Sequence, residues 1–119
     1  MGRKYEVEAA LDVDGKPQAL LFLQELMGRP KFADKVADLL IRLERFAEHG
    51  VLKQPQQLNH LRGELHELKA HTIRLPFYYR KTESCGHVRL THGFLKQGLK
   101  TPHREIDRGM AIMREDQRQ

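Results

Sequence analysis

The chain has 119 residues, 39% of them hydrophobic and 31% charged, with a formal net charge of +5, which suits one compact domain and leaves no room for a second. Its longest apolar stretch, Ala19 to Leu23, is five residues, far short of the roughly 20 a membrane-spanning helix needs. A single cysteine, Cys85, excludes an intramolecular disulfide and a cysteine-rich zinc site and suits a reducing compartment. Met1 to Glu6 is charged and carries no secretory pattern, so a cytoplasmic protein is expected.

The elements read in chain order as follows. Lys4 to Leu11 alternates Tyr5, Val7 and Ala9 with charged residues, the pattern of a strand. Asp14-Gly15 makes a turn, and Pro17 opens a helix that carries Ala19 to Leu23, Leu26 and Met27 and ends near Gly28. A longer helix runs from about Lys31 to His49 on the stripe Phe32, Val36, Leu40, Leu43 and Phe46, with Gly50 as its stop. After a loop around Gln54 to Gln57, three strands are predicted over Glu64 to Ala70, Thr72 to Lys81 and His87 to Phe94. The turns between them fall at Ala70-His71 and at Glu83 to Gly86. Pro76 lacks a ladder donor, so its strand is expected to bulge or to lie at an edge there. Thr101 as N-cap and Pro102 as first helical residue open a last helix, with Ile106, Met110 and Met113 as its apolar stripe. The expected order is β-α-α-β-β-β-α, an α+β domain whose helices cover one face of a small antiparallel sheet and leave the other open.

Charge divides the chain unequally. Residues 1–59 carry nine Lys/Arg against nine Asp/Glu, and residues 60–119 carry twelve against seven. Between Lys69 and Arg104 there are eight cations and one anion, Glu83. Such a field attracts phosphates and speeds encounter with nucleic acid; a merely solvated basic surface has the same composition.

Three blocks carry a more specific signal: Gly63-Glu64-Leu65-His66-Glu67-Leu68-Lys69; Ile73-Arg74-Leu75-Pro76-Phe77-Tyr78; and Leu90-Thr91-His92-Gly93-Phe94-Leu95-Lys96-Gln97-Gly98-Leu99-Lys100-Thr101-Pro102. In this order they resemble the RelE/ParE superfamily of bacterial toxins, most closely its phage-derived HigB-like branch. The resemblance implies a RelE-like microbial RNase fold and toxicity through cutting mRNA on the translating ribosome. It also implies neutralisation by a cognate helix-turn-helix, HigA-like antitoxin, with ribosome and mRNA as further partners and no membrane. The family's Glu-Leu-Arg reads Glu67-Leu68-Lys69 here, and its paired lysines read Lys96-Gln97.

RNA cleavage of that kind needs a group to take the 2′-OH proton, cations to hold the phosphorane and an acid for the leaving 5′-oxygen, with no metal or other cofactor. Strand parity puts Arg74, Tyr78 and Arg80 on one face, with Glu67 and Lys69 aligned on the neighbouring strand. Arg74, His92, Lys96 and Tyr78 are therefore the expected catalytic residues, Arg74 as a two-pronged phosphate clamp. Lys69, Arg80, Arg89 and Lys100 are expected to bind RNA. Glu67 is expected to support Arg74 or Lys69 structurally. His92 stays open: histidine titrates near neutral pH, yet parity groups it with Val88, Leu90 and Phe94, unless a bulge at Gly93 turns it outward. His66, His71, His87 and His103 have no zinc-ligand spacing and read as surface or phosphate contacts. Two rival functions remain, a ParE-type gyrase poison and a catalytically weak module that binds an antitoxin and regulates its operon.

Overall fold

The computed structural model describes residues 4–50, 57–81 and 86–119; most of the expected loop around Gln54 to Gln57 and of the turn at Glu83 to Gly86 lies outside them. Strand β1 (Tyr5–Ala9) is followed by α1 (Gln18–Met27), a 3-10 turn at Pro30–Phe32 and α2 (Ala33–His49). Then come β2 (Leu58–Arg62), β3 (Leu65–Ala70), β4 (Ile73–Lys81), β5 (Gly86–Leu90), β6 (Phe94–Leu95) and α3 (His103–Gln117). The sheet order is β1-β5-β4-β3-β2, with β6 beside β4. The sheet is mixed, because β1 runs parallel to β5 while the other pairs are antiparallel. The expectation of an antiparallel sheet is corrected at that edge, where residues 10–85 intervene between the two strands and a tight hairpin is impossible.

One face of the sheet packs on α1 and α2. Leu68, Ala70, Ile73, Leu75, Phe77, Val88 and Leu90 meet Leu23, Leu26, Val36, Leu39, Leu43 and Phe46 in a single core. The buried stripe of α2 passes through Leu39, whereas Leu40 is 42% exposed. Gly50 ends α2 at φ +71° and sends its N–H to Phe46 O at 2.8 Å, as left-handed glycine caps do.

The opposite face is not open. Helix α3 lies across it and buries Tyr78, Ile112 and Met113. Gly109 allows that approach, since a Cβ there would stand 2.8 Å from Leu65 Cδ2. The expectation that all helices share one face fails because α3 is itself amphipathic and the sheet's second face carries apolar atoms that need cover.

Two further corrections concern the strands. Strand β2 was not expected; it joins β3 through a turn at Gly63 (φ +56°) and Glu64, with Arg62 opposite Leu65. Pro76 sits in the central strand with neither a bulge nor an edge. Its register with β3 is continuous, Glu67 opposite Pro76. The β5 ladder ends at Leu90 opposite Phe77, and Pro76 O accepts from Thr91 N at 2.9 Å. A strand residue directs N and O to the same side, so the missing donor faces the break over 91–93, where no ladder is interrupted. Lastly, α3 starts one residue later than expected. Pro102 is its N-cap and makes no side-chain cap bond, while the Thr101 hydroxyl bonds Glu67 instead.

Candidate functional site

Parity across Pro76 holds, so Glu67, Lys69, Arg74, Tyr78, Arg80 and Arg89 do share the α3 face. Helix α3 separates them into two groups.

Around the C-terminal end of α3, the sheet arginines meet carboxylates. Asp116, 1% exposed, accepts from Arg89 Nε at 2.9 Å and Nη2 at 2.8 Å, from Leu11 N–H at 2.9 Å and from the Tyr78 hydroxyl. Arg80 Nη1 lies 4.0 Å from the same carboxylate, and its Nη2 donates to Gln119 O at 2.9 Å. Glu8 takes His87 Nδ1 at 2.7 Å and Arg89 Nη1 at 3.3 Å. Burial alone would raise the Asp116 pKa, but the hydrogen bonds from Arg89, Tyr78 and Leu11 outweigh it and lower the value to about 2. Burial and that same carboxylate push the Tyr78 hydroxyl well above its ordinary range, and the Asp116 bonds raise Arg89. The catalytic expectation for Tyr78 is therefore corrected: it is buried, and its one proton is committed to Asp116. Arg80 and Arg89, expected on RNA, are turned to the protein's own carboxylate.

At the other end, Lys69, Lys96 and Lys100 make no ion pair within 4 Å among the described residues. Lys69 from β3, Lys96 just after β6 and Lys100 from the following loop line one cavity of about 280 Å³ with Asn59, Thr101 and Leu99. The chain brings Lys96 there by a backbone bond from its N–H to Thr72 O at 2.8 Å. Beneath lies Glu67, fully buried, which accepts the Thr101 hydroxyl at 2.9 and 3.0 Å and Asn59 Nδ2 at 3.4 Å. Arg74 Nε lies 3.9 Å from its Oε1. Burial lowers the Lys69 pKa, opposed by Glu67 and reinforced by Arg74 and Lys96. Lys69, Arg74 and Lys96 thus share one electrostatic neighbourhood rather than unrelated surfaces.

Arg74 is nevertheless not an open clamp. Its side chain is 12% exposed, and Nη1 donates to His71 O at 2.6 Å and Ile73 O at 3.0 Å. Its Nε is buried without a hydrogen bond. One prong of the fork, Nη1, is used on the hairpin backbone, and the lysines front the cavity.

His92 is fully buried, but not where continuous strand parity would put it. The ladder breaks over 91–93, so His92 and Phe94 lie on the α3 side, away from Val88 and Leu90. Gly93 lies against α1, where a Cβ would fall 2.1 Å from Phe22 Cδ2. His92 Nδ1 is 2.9 Å from Thr91 Oγ1, and Nε2 is 3.3 Å from Glu105 Oε1 but out of line for a hydrogen bond. Glu105 is close enough to favour an imidazolium. The loss of hydration is larger, with Arg108 adding to it, and the pKa is pushed down to about 3, so the ring is neutral. His92 does not reach the lysine cavity.

Sequence reasoning missed Asn59, whose strand went unseen, and Thr101, assigned to capping. It also missed Asp116, which falls three residues after Met113 on the apolar stripe, the phase at which an acid is buried against sheet arginines. Among the described residues no group of three or more His, Cys, Asp or Glu could hold a metal ion, and no helix is long and apolar enough to cross a membrane. No family model matches the chain, and no curated protein matches it.

Proposed function

We propose that this chain is the toxin of a toxin–antitoxin pair, a RelE-like, HigB-like endoribonuclease that cuts mRNA on the ribosome in the cytoplasm and is restrained by a helix-turn-helix antitoxin. The observation that carries the reading is the convergence of Lys69, Lys96 and Lys100 on one cavity above the Glu67–Arg74 pair. Three ammonium groups from two segments, β3 and the loop after β6, make a site for a phosphodiester and would offset the negative charge that develops as the phosphorane forms. The sugar's own 2′-OH attacks, leaving a 2′,3′-cyclic phosphate and a free 5′-hydroxyl. Lys69 is the cleft group best suited to exchange a proton, because burial and two neighbouring cations destabilise its ammonium. Arg74 contributes charge from below and holds Glu67 in place.

Brief induction of the protein followed by mapping of RNA ends tests this. Growth arrest with new 5′-hydroxyl ends inside translated codons is expected, and Lys96→Ala combined with Lys100→Ala should abolish both. Intact transcripts alongside DNA breaks would refute the nuclease reading in favour of a gyrase poison. The burial of His92 and Tyr78 favours a second reading, a catalytically weak antitoxin-binding module; normal growth with intact RNA is its signature.

A further inference from the structure

The loop over residues 96–102 has a second cavity on its other side. It measures about 330 Å³ and is lined by Phe94, Leu95, Gln97, Pro102, Arg104 and Glu105, a volume at the lower end of small-ligand pockets. Consecutive residues divide between the two spaces, Lys96 and Lys100 lining the first and Gln97 the second. A strand held by its phosphate in the first cavity therefore has a polar pocket within one loop's width for a base.

The second cavity offers one carboxylate acceptor, Glu105, beside the donors of Gln97 and Arg104. The Glu105 side chain is 15% exposed, and within ion-pair distance it faces His92 Nε2 at 3.3 Å. That nitrogen belongs to a side chain 1% exposed and makes no hydrogen bond, a condition native proteins rarely leave without use. The neutral His92 ring does not cancel the charge of Glu105, so the carboxylate keeps acceptor sites for an incoming donor. His92 is also held rigidly. Its ring stacks on Phe94 at 5.8 Å and 24°, and Gly109 of α3 passes so close that a Cβ would lie 3.4 Å from His92 Cε1. Phe94 in turn forms an apolar wall of the cavity, the kind of surface on which a base plane lies.

We propose that this cavity takes a nucleobase of the bound RNA and selects guanine, with Glu105 accepting from its N1–H and 2-amino groups. Guanine alone among the four bases offers two adjacent donors on its Watson–Crick edge, the complement of a two-oxygen acceptor. Unstacked bases of single-stranded RNA are read on that edge. Gln97, which can donate and accept, lines the same cavity and can serve the guanine carbonyl. The inference rests on the RNA reading of the lysine cavity.

Fluorescence anisotropy of the full chain with short oligouridines, blocked against cleavage by 2′-deoxy sugars and carrying one guanosine, inosine or adenosine, tests it. Inosine keeps N1–H and lacks the 2-amino group. Guanosine should bind about tenfold tighter than either, the discrimination typical of one bidentate pair. Glu105→Gln should erase that difference, whereas Lys96→Ala should weaken all three oligomers by the same factor. Equal binding of the guanosine and inosine oligomers by the unaltered protein overturns guanine selection and leaves the phosphate cleft standing, as does a preference that survives Glu105→Gln. If no oligomer binds at low salt, the RNA reading falls and this inference with it.

Discussion

The two ends of the α3 face hold the same kinds of side chain and use them in opposite ways. At one end Arg89, Arg80 and Tyr78 are gathered on Asp116, 1% exposed, and the helix closes over them. At the other, Lys69, Lys96 and Lys100 surround open space, with Glu67 as the one buried anion beneath them. A cation that meets a buried carboxylate in good geometry becomes part of the scaffold. A cation facing solvent near others of its sign stays available to an outside anion. Position on a face therefore does not give a residue its role; the nearest counter-charge does.

The sharpest way to break this comparison is to remove the counter-charge. Asp116→Ala strands the Tyr78 hydroxyl under α3 and leaves Arg89 with Glu8 alone, at a cost of about 3 kcal/mol. For a domain of this size that lowers the thermal unfolding midpoint by about 10 °C. RNA affinity measured well below that midpoint should not change. A midpoint within a degree or two of the unaltered protein would show that the Asp116 end is not structural.

Arg74→Ala should come next, at about 2 kcal/mol, because Glu67 loses its cation while Thr101 and Asn59 still bond to it. Urea unfolding reads this directly. Had the fork been an open phosphate clamp, stability would instead be unchanged and only RNA affinity would fall.

Acid should distinguish the two ends as well. Asp116 has a folded pKa of about 2 against an ordinary 3.8, so its unfolded form takes up a proton first as pH falls. Its stabilisation is complete above pH 4 and is lost between about 4 and 2, amounting to about 2 kcal/mol. His92, pushed down to about 3 from 6.5, has the same sign: the unfolded chain protonates below pH 6.5 and the native ring does not. Stability should therefore decline from about pH 6.5, and His92→Gln should remove that early part of the decline while keeping the loss below pH 4. An acid profile flat from pH 6.5 to 4 in the unaltered protein would contradict a buried neutral imidazole.

The smallest effect on the fold should come from the lysines. Lys96→Ala and Lys100→Ala should each leave the unfolding midpoint within a degree or two, since neither has a fixed partner among the described residues. Each should reduce the slope of log affinity against log salt by about 1. A slope unchanged by both would remove phosphate contact from the cleft.

Much of the architecture was legible because it depends on local periodicity. Tyr5, Val7 and Ala9 marked β1, the stripe of α2 ended at Gly50, and the faces of β4 followed from alternation that Pro76 did not disturb. What escaped depended on partners distant in the chain. Strand β2 has a weak pattern of its own and is a strand because β3 pairs with it. His92 could not be placed because parity holds only while a ladder continues, and the ladder stops at Leu90.

By itself, then, the sequence determined the helices, the strands with strong alternation, and the convergence of Lys69, Arg74 and Tyr78 on one face, since these follow from backbone periods of two and 3.6 residues. Tertiary structure decided which of those residues work and which only hold. The packing of α3 across the sheet set Asp116 against Tyr78 and Arg89 and left the lysines uncovered, an outcome of contacts between segments some 30 residues apart that no local pattern encodes.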